Sequence, residues 1–294
     1  MGLWQLTRPA NVITAAADVL AGVGISGFLL EPFTGEWKSL LLLIISSMCL
    51  YACGVVFNDV FDAKLDTLER PERPIPSGLI SKGQAQTWGI VWGVAGVLAA
   101  AAVGSQFYTL SVFLAMAIVF FSLVYDKWAK HQAIAGPLLM GLCRGLNLLL
   151  GISIVPAAVG QYWFLALVPI VYIAAITTIS RGEVHGGKKN NLYLALCLYA
   201  MVIAALVVGG ILQQRWQMAI VPIAGFGWMI FPPLIRAIRQ PSGPAIGKAV
   251  KAGVIALIIM NAAWAAVFGQ LYLAGMILLL LPLSLLLSRF FAVT

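Results

Sequence analysis

The sequence predicts an all-α membrane protein, a polytopic bundle of nine to ten transmembrane helices, and three observations predict it. Hydrophobic residues fill 62% of the 294 positions and charged residues 10%, with a mean hydropathy of +0.99, far outside the range of water-soluble domains. Apolar runs of about 20 residues, enough to cross roughly 30 Å of hydrocarbon, recur along the whole chain. Basic residues gather in alternate connections between those runs, as expected of a chain that weaves through a bilayer.

Ten spans follow in order: 11–30, 38–57, 83–103, 106–125, 133–155, 162–180, 191–212, 216–235, 248–268 and 271–289. None has the short alternation of a barrel strand, so each reads as a helix whose backbone bonds to itself. The first follows Arg8-Pro9-Ala10, the fourth closes on Tyr125-Asp126-Lys127, and the sixth runs into the polar stretch after Ser180. Only a short turn at Gly269 and Gln270 separates the last two, and merging them gives nine.

Alternating sides from the N-terminus places Arg8, Lys64, Arg70, Arg73, Lys82, Lys127, Lys130, Arg181, Lys188, Lys189, Arg236, Arg239, Lys248, Lys251 and Arg289 together, fifteen of the eighteen basic residues. Lys38 and Arg215 fall opposite, and Arg144 lies inside a span. Ten spans therefore put both termini in the cytoplasm, with the cell inner membrane as the expected site. The net charge of +8 reflects this topology and not a nucleic-acid surface. Met1 to Gln5 is too short and uncharged for a signal peptide's n-region, so the first span is expected to stay. Cys49, Cys53, Cys143 and Cys197 lie in spans as packing residues, with no zinc or disulfide pattern. No linker divides the chain: residues 1–294 form one domain, with a motif loop at 58–82 and a second polar loop at 180–190. Polar motifs follow spans two and six, but the residues around Asn58 and Ser180 do not align as a repeat.

Five of the ten acidic residues (Asp59, Asp62, Asp66, Glu69 and Glu72) fall in NDVFDAKLDTLERPERPIPSG, Asn58 to Gly78. If the second helix continues past the membrane boundary, Asp59, Asp62 and Asp66 stand at i, i+3 and i+7 on one face. Carboxylates so placed repel one another, whereas a hard cation turns the repulsion into coordination, and Mg²⁺ usually shares such ligands with substrate phosphates. Asn58 can add an amide oxygen or orient a carboxylate. The prolines that follow predict an extended loop presenting Arg70 and Arg73 to an anion, so the segment suits a diphosphate on a lipid tail. The competing reading is a solvated loop at a capped helix end.

These residues resemble the UbiA-type intramembrane prenyltransferases. Asn58 to Asp66 fits the family's NDxxDxxxD pattern, Arg70 to Gly78 looks like its RPxRPIPSG continuation, and Arg8-Pro9-Ala10-Asn11 with the multi-helix layout extends the similarity over nearly the whole chain. Within the family the wording looks closest to a UbiA-like branch called EboC. The resemblance implies a Mg²⁺-dependent transfer of a prenyl group from a prenyl diphosphate to a hydrophobic or amphipathic acceptor, in a cavity open toward the cytoplasmic side. Asp59, Asp62 and Asp66 become metal ligands, with Asp62 and Asp66 also counted as catalytic. Membrane lipid is the surrounding partner, and no obligate protein partner or nucleic acid is implied.

Two departures qualify the resemblance. Members usually carry a DxxxD-like cluster after the sixth span, but here Ser180-Arg181-Gly182-Glu183-Val184-His185-Gly186-Gly187-Lys188-Lys189 holds one acid. Glu183 is the candidate second metal ligand, with His185 beside it, and Arg181, Lys188 and Lys189 are candidates to neutralise phosphate directly. Members that prenylate hydroxybenzoate tend to have Arg after the middle Asp, where this chain has Ala63, so the acceptor class stays open among lipid alcohols, aromatics and acids. A catalytically silent relative that binds or moves an isoprenoid lipid is the rival that the eroded second motif motivates.

Polar groups inside spans complete the candidates, because charge at mid-bilayer is costly. Arg144 is expected to face the cavity with Asn147, as a diphosphate or acceptor ligand or as a structural partner of Asp18, and Gly141 with Gly145 permits close helix approach. Asp18, two turns beyond Asn11 on one stripe, is a candidate general base or a buried counter-ion. Asn11, Tyr125 and Lys127 join the substrate-binding set, converging with the basic loop at Lys248 and Lys251. His131 reads as interfacial and Asn261 as interhelical glue.

Overall fold

A computed structural model describes residues 2–28, 37–103, 108–183 and 186–290, and among these it contains helices and turns but no strand. The elements are α1 (Gly2–Thr7), α2 (Pro9–Ser26), α3 (Trp37–Glu69), α4 (Lys82–Ala101), α5 (Tyr108–Lys127), α6 (Ala135–Ile152), α7 (Pro156–Tyr162), α8 (Leu167–Ser180), α9 (Lys189–Leu212), α10 (Trp216–Arg239), α11 (Gly243–Val267) and α12 (Leu271–Phe290). Short 3-10 turns stand at Ala129–His131 and Trp163–Ala166.

Over the described residues, which leave out 29, 30, 106 and 107, each expected span coincides with a helix, and the sixth with the 3-10 turn Trp163–Ala166 and α8. Nine of the described helical stretches are long and apolar enough to cross a membrane. The helix that falls short is α4, whose first turns carry Lys82, Gln84 and Gln86. It nevertheless lies antiparallel along α3, with Gly89, Gly93 and Gly96 against Phe57, Cys53 and Leu50. The last two spans do not merge, because Gly269 turns the chain at φ 80°.

Two helices organise the bundle. Both α2 and α11 are apolar and buried nearly all round, as a helix surrounded by other helices must be. Against them pack α6, α8, α9 and α12, and the interior is filled by Tyr172, Tyr199, Phe226 and Trp264, all fully buried. Glycines bring the backbones together where the site needs it. A Cβ on Gly151 would lie 2.3 Å from the Val19 carbonyl oxygen, and one on Gly22 would lie 2.3 Å from that of Leu148, so α2 and α6 touch backbone to backbone. Gly141 and Gly145 do the same for α6 on α8, meeting the carbonyl oxygens of Ile170 and Ala166 at 2.7 and 2.8 Å.

The outer surface is greasy. Phe113, Phe120, Val221 and Leu279 stand exposed along the helices, and exposed Trp37, Trp163 and Trp216 mark helix ends, as in an interfacial aromatic belt. The connections that carry the motif loop, the Lys130 turn and the Glu183 loop come together at the opposite, basic end.

Candidate active site at the basic end of the bundle

α3 does not stop at the apolar boundary. It continues unbroken for 33 residues to Glu69, so Asp59, Asp62 and Asp66 lie on one helical stripe as the spacing predicts. The segment after it is not extended, in contrast to the expectation from its prolines. The amides of Arg73, Ser77, Gly78 and Ile80 turn back onto the carbonyls of Arg70, Arg73, Ile75 and Pro74. Proline removes an amide donor but leaves its neighbours free to close turns, and these turns fold Arg73 onto the α3 acids. Ser81 and Gln84 end the loop with a reciprocal capping box that starts α4.

Each motif carboxylate has a cation. Arg8 donates to Asp59 Oδ1 at 2.7 Å, Arg73 Nη1 donates to Asp66 Oδ2 at 2.8 Å and approaches Asp59 Oδ1 at 3.4 Å, and Lys130 Nζ bonds Asp62. Arg8 reaches its partner from a left-handed backbone (φ 47°), a conformation costly for a non-glycine residue and forced between α1 and Pro9. On the far side of the stripe, Asn58 Nδ2 donates to Asp126 Oδ1 at 2.9 Å. The other oxygen of Asp126, Oδ2, is buried and has no hydrogen-bond partner.

Behind these groups lies a cavity of about 380 Å³. Arg8, Asn58, Arg70, Arg73, Asp126 and Glu183 edge its polar end, and Leu50, Ile118, Ile173, Ile176, Val254 and Leu257 form its walls. Tyr51, Arg144 and Asn147 lie deeper, while Asn11 and Tyr125 also face the space. Arg70 makes no ion pair among the described residues.

Arg144 is committed to α2. Its Nη1 donates to Asp18 Oδ2 at 2.7 Å, its Nη2 to Thr14 Oγ1 at 2.6 Å, and its guanidinium carbon lies 4.9 Å from the centre of the Tyr51 ring. Asn147 donates to Asp18 Oδ2 at 3.1 Å and to the Ala15 carbonyl at 3.0 Å, while Asn261 of α11 donates to Asp18 Oδ1 at 2.7 Å. Asp18 is thus 1% exposed, holds three donors and does not line the cavity. A saturated carboxylate is a poor proton acceptor, so the geometry corrects the general-base expectation in favour of the counter-ion.

Other expected residues divide. Lys127 is exposed and turned away from the cavity, Lys188 is exposed just before α9, and Arg181 is exposed with its guanidinium on the Ala133 carbonyl. Lys248 is exposed and Lys251 donates to the Ser288 carbonyl, so neither edges the cavity. His131 is exposed on its turn, and His185 lies outside the described residues. Glu183 does edge the cavity, and its Oε1 would lie 3.3 Å from a Cβ on Gly247 in the second turn of α11.

Among the described residues no three acids, histidines or cysteines come together as a ready metal cage. The donors nevertheless suit Mg²⁺, which takes hard oxygens and usually needs only one or two carboxylates beside substrate phosphates. The unpartnered, buried Oδ2 of Asp126, a residue that edges the cavity, is such a donor. Three residues at this end were not singled out from sequence: Arg8, Lys130 and Asp126. Asp126 carried a usable signal, being one of ten acids in the chain and standing at the same membrane boundary as the motif.

The structure is a helical membrane bundle with cations and acids around one end of an apolar cavity. The chain belongs to the UbiA prenyltransferase family, which matches residues 19–249, and is thereby a transferase of prenyl groups. It is similar to a digeranylgeranylglyceryl phosphate synthase of Methanothrix thermoacetophila, 29% identical over 252 residues, covering 78% of this chain and 87% of the relative. It is also similar to one of Methanoculleus marisnigri, 31% identical over 226 residues, covering 70% and 76%. Among solved structures, a UbiA homolog from Aeropyrum pernix K1 superposes with a TM-score of 0.68 at 17% identity, covering 86% of this chain and 96% of that one. A UbiA homolog from Archaeoglobus fulgidus bound to DMAPP and Mg²⁺ gives 0.64 at 16% identity, covering 92% and 99%. Both share the fold.

Proposed function

We propose that this chain transfers a prenyl group from a prenyl diphosphate to a hydroxyl of a glyceryl lipid, with Mg²⁺, at the cytoplasmic face of an inner membrane and with both termini on that side. One observation carries the reading: three carboxylates on one helical stripe hold Arg8, Arg73 and Lys130, and through Arg8 and Arg73, which line it, they adjoin an apolar cavity that they do not line themselves. Such pairs are exchangeable. On arrival of a diphosphate the two arginines and the lysine can pass to its oxygens, joined by Arg70, and leave Asp59, Asp62 and Asp66 free to take the metal. Mg²⁺ held there would neutralise the leaving diphosphate. The apolar walls would hold the prenyl chain with its first carbon below the head group and keep water from that carbon. The acceptor oxygen then bonds to the carbon, the bond to diphosphate breaks, and the hydroxyl proton leaves with the product diphosphate.

The acceptor assignment has two supports. The relatives named above are digeranylgeranylglyceryl phosphate synthases. Ala63 stands where a benzoate carboxylate would want a cation.

The test is turnover by purified protein in lipid nanodiscs, given labelled geranylgeranyl diphosphate, Mg²⁺ and geranylgeranylglyceryl phosphate. Release of diphosphate with formation of the ether, lost in Asp62→Ala, is the expected result. Tight binding without turnover on this or any other lipid alcohol would favour the isoprenoid-binding alternative, and no Mg²⁺-dependent binding at all would overturn both.

A further inference from the structure

We propose that Asp126 is a metal ligand, pairing with Asp62 across α3 and α5 to make the cation site that the 180–190 loop lacks the acids to supply. The proposal rests on the Mg²⁺ and prenyl diphosphate reading above. Its starting point is a buried group without a partner. Asp126 edges the cavity and is 3% exposed, its Oδ1 is fixed by the Asn58 amide, and its Oδ2 is buried and unpaired. Buried carboxylate oxygens are almost always bonded, so a lone one on a residue at the edge of a binding space points to a ligand that completes it.

The surroundings say which kind of ligand. Asn58, which holds Asp126, stands one turn before Asp62 on α3, and Lys130, four residues after Asp126, is bonded to Asp62. Two acids therefore stand near one lysine, a point charge on a flexible stem that can leave for a phosphate oxygen. What it vacates is a pair of carboxylates with an amide holding one of them in orientation. That pair is the complement Mg²⁺ takes beside a diphosphate. Glu183 is less suited, because it is the one acid between Ser180 and Lys189 and brings no second carboxylate with it.

The test counts ions and measures affinity without turnover. The full chain in nanodiscs is titrated with Mn²⁺ in the presence of farnesyl thiodiphosphate, a probe that resists transfer, and free Mn²⁺ is read by electron paramagnetic resonance. The wild type is expected to bind about two ions per chain, and Asp126→Asn about one. Mg²⁺-dependent affinity for the probe should fall at least about tenfold, because even outer-sphere partners of a metal are worth that much. Asp126→Glu should recover the second ion and Glu183→Gln should keep it. Asp126→Ser gives the same reading if the Asn variant does not fold. An Asp126→Asn protein that keeps both ions and its affinity, a Glu183→Gln protein that loses one, or a wild type with one ion would each overturn the proposal. No Mg²⁺-dependent probe binding by the wild type would instead sink the functional reading beneath it.

Discussion

Two clusters of charge sit in this membrane protein, one around Asp18 and the other around Asp62, and they are built differently. Asp18 holds Arg144, Asn147 and Asn261 from two other helices, and all of these groups are buried. Neutral amides fill the lone pairs that the guanidinium leaves, and the cluster needs nothing more. The cluster at the basic end pairs acids with long cations that are themselves part-exposed, and it leaves Asp126 Oδ2 empty-handed. Ion pairs satisfied by amides and fixed by helix packing act as glue, whereas pairs satisfied only by flexible cations hold a place for something else. The charge content of a site says little about its role, and the completeness of its hydrogen bonding says much more.

The sharpest way to break that comparison is Asp18→Ala. Removing one partner strands Arg144 in the interior, and the expected cost is about 3 to 5 kcal/mol of stability, read by thermal unfolding in detergent. Replacing Arg144 with Met in the same chain should return part of the loss. An Asp18→Ala protein that melts like the wild type yet has lost turnover would restore Asp18 as the catalytic base.

Asp62→Ala is the counterpart at the other cluster. On the proposed function it removes a metal ligand from a part-exposed position, so turnover should fall about a hundredfold or more while the melting temperature stays near that of the wild type. A reversed outcome, with stability lost and activity kept, would make the motif acids structural and end the distinction drawn here.

Much of this was legible beforehand, for physical reasons that differ by residue. Bilayer thickness sets span length, so the ten helices could be read from hydropathy, and the α3 stripe followed from 3.6 residues per turn. Arg144 and Asp18 were visible because charge in hydrocarbon demands an explanation, although sequence could not decide between counter-ion and base. That choice depended on Asn147 and Asn261, which reach Asp18 across 129 and 243 residues of chain. Lys127 and Lys130 were indistinguishable as basic residues after one span, and only the 3-10 turn at Ala129–His131 brings Lys130 onto Asp62. The folded motif loop was misjudged because proline content predicts fixed φ angles but not where the neighbouring amides close.

A subtler test addresses how the glue cluster is held. Arg144 can meet Asp18 only because α2 and α6 touch at Gly22 and Gly151. Gly151→Ala puts a methyl where the Val19 carbonyl oxygen lies 2.3 Å away, so the helices must part. The expected cost is about 1 to 3 kcal/mol, typical of overpacking. The Asp62 cluster lies on α3 and α5, away from this crossing, so Mg²⁺-dependent diphosphate affinity should change little in the protein that remains folded.

The smallest expected effect concerns the basic residues of the second polar loop. Arg181 and Lys188 were natural candidates to replace a lost metal, since both follow the sixth span close to Glu183. Arg181 instead turns outward to the Ala133 carbonyl, and Lys188 is exposed ahead of α9. If the flexible-cation principle is right, only cations already seated on the motif acids hand over to phosphate. Arg181→Ala and Lys188→Ala should therefore leave Mg²⁺-dependent affinity for farnesyl thiodiphosphate within about twofold, the usual reach of a surface substitution. Arg73→Ala, which strips Asp66 of its cation and leaves Asp59 to Arg8 alone, should weaken it well beyond that in the same titration. A loss in the loop variants comparable to that in Arg73→Ala would mean that the loop closes over the head group, and that cations beyond the described pairs share in holding it.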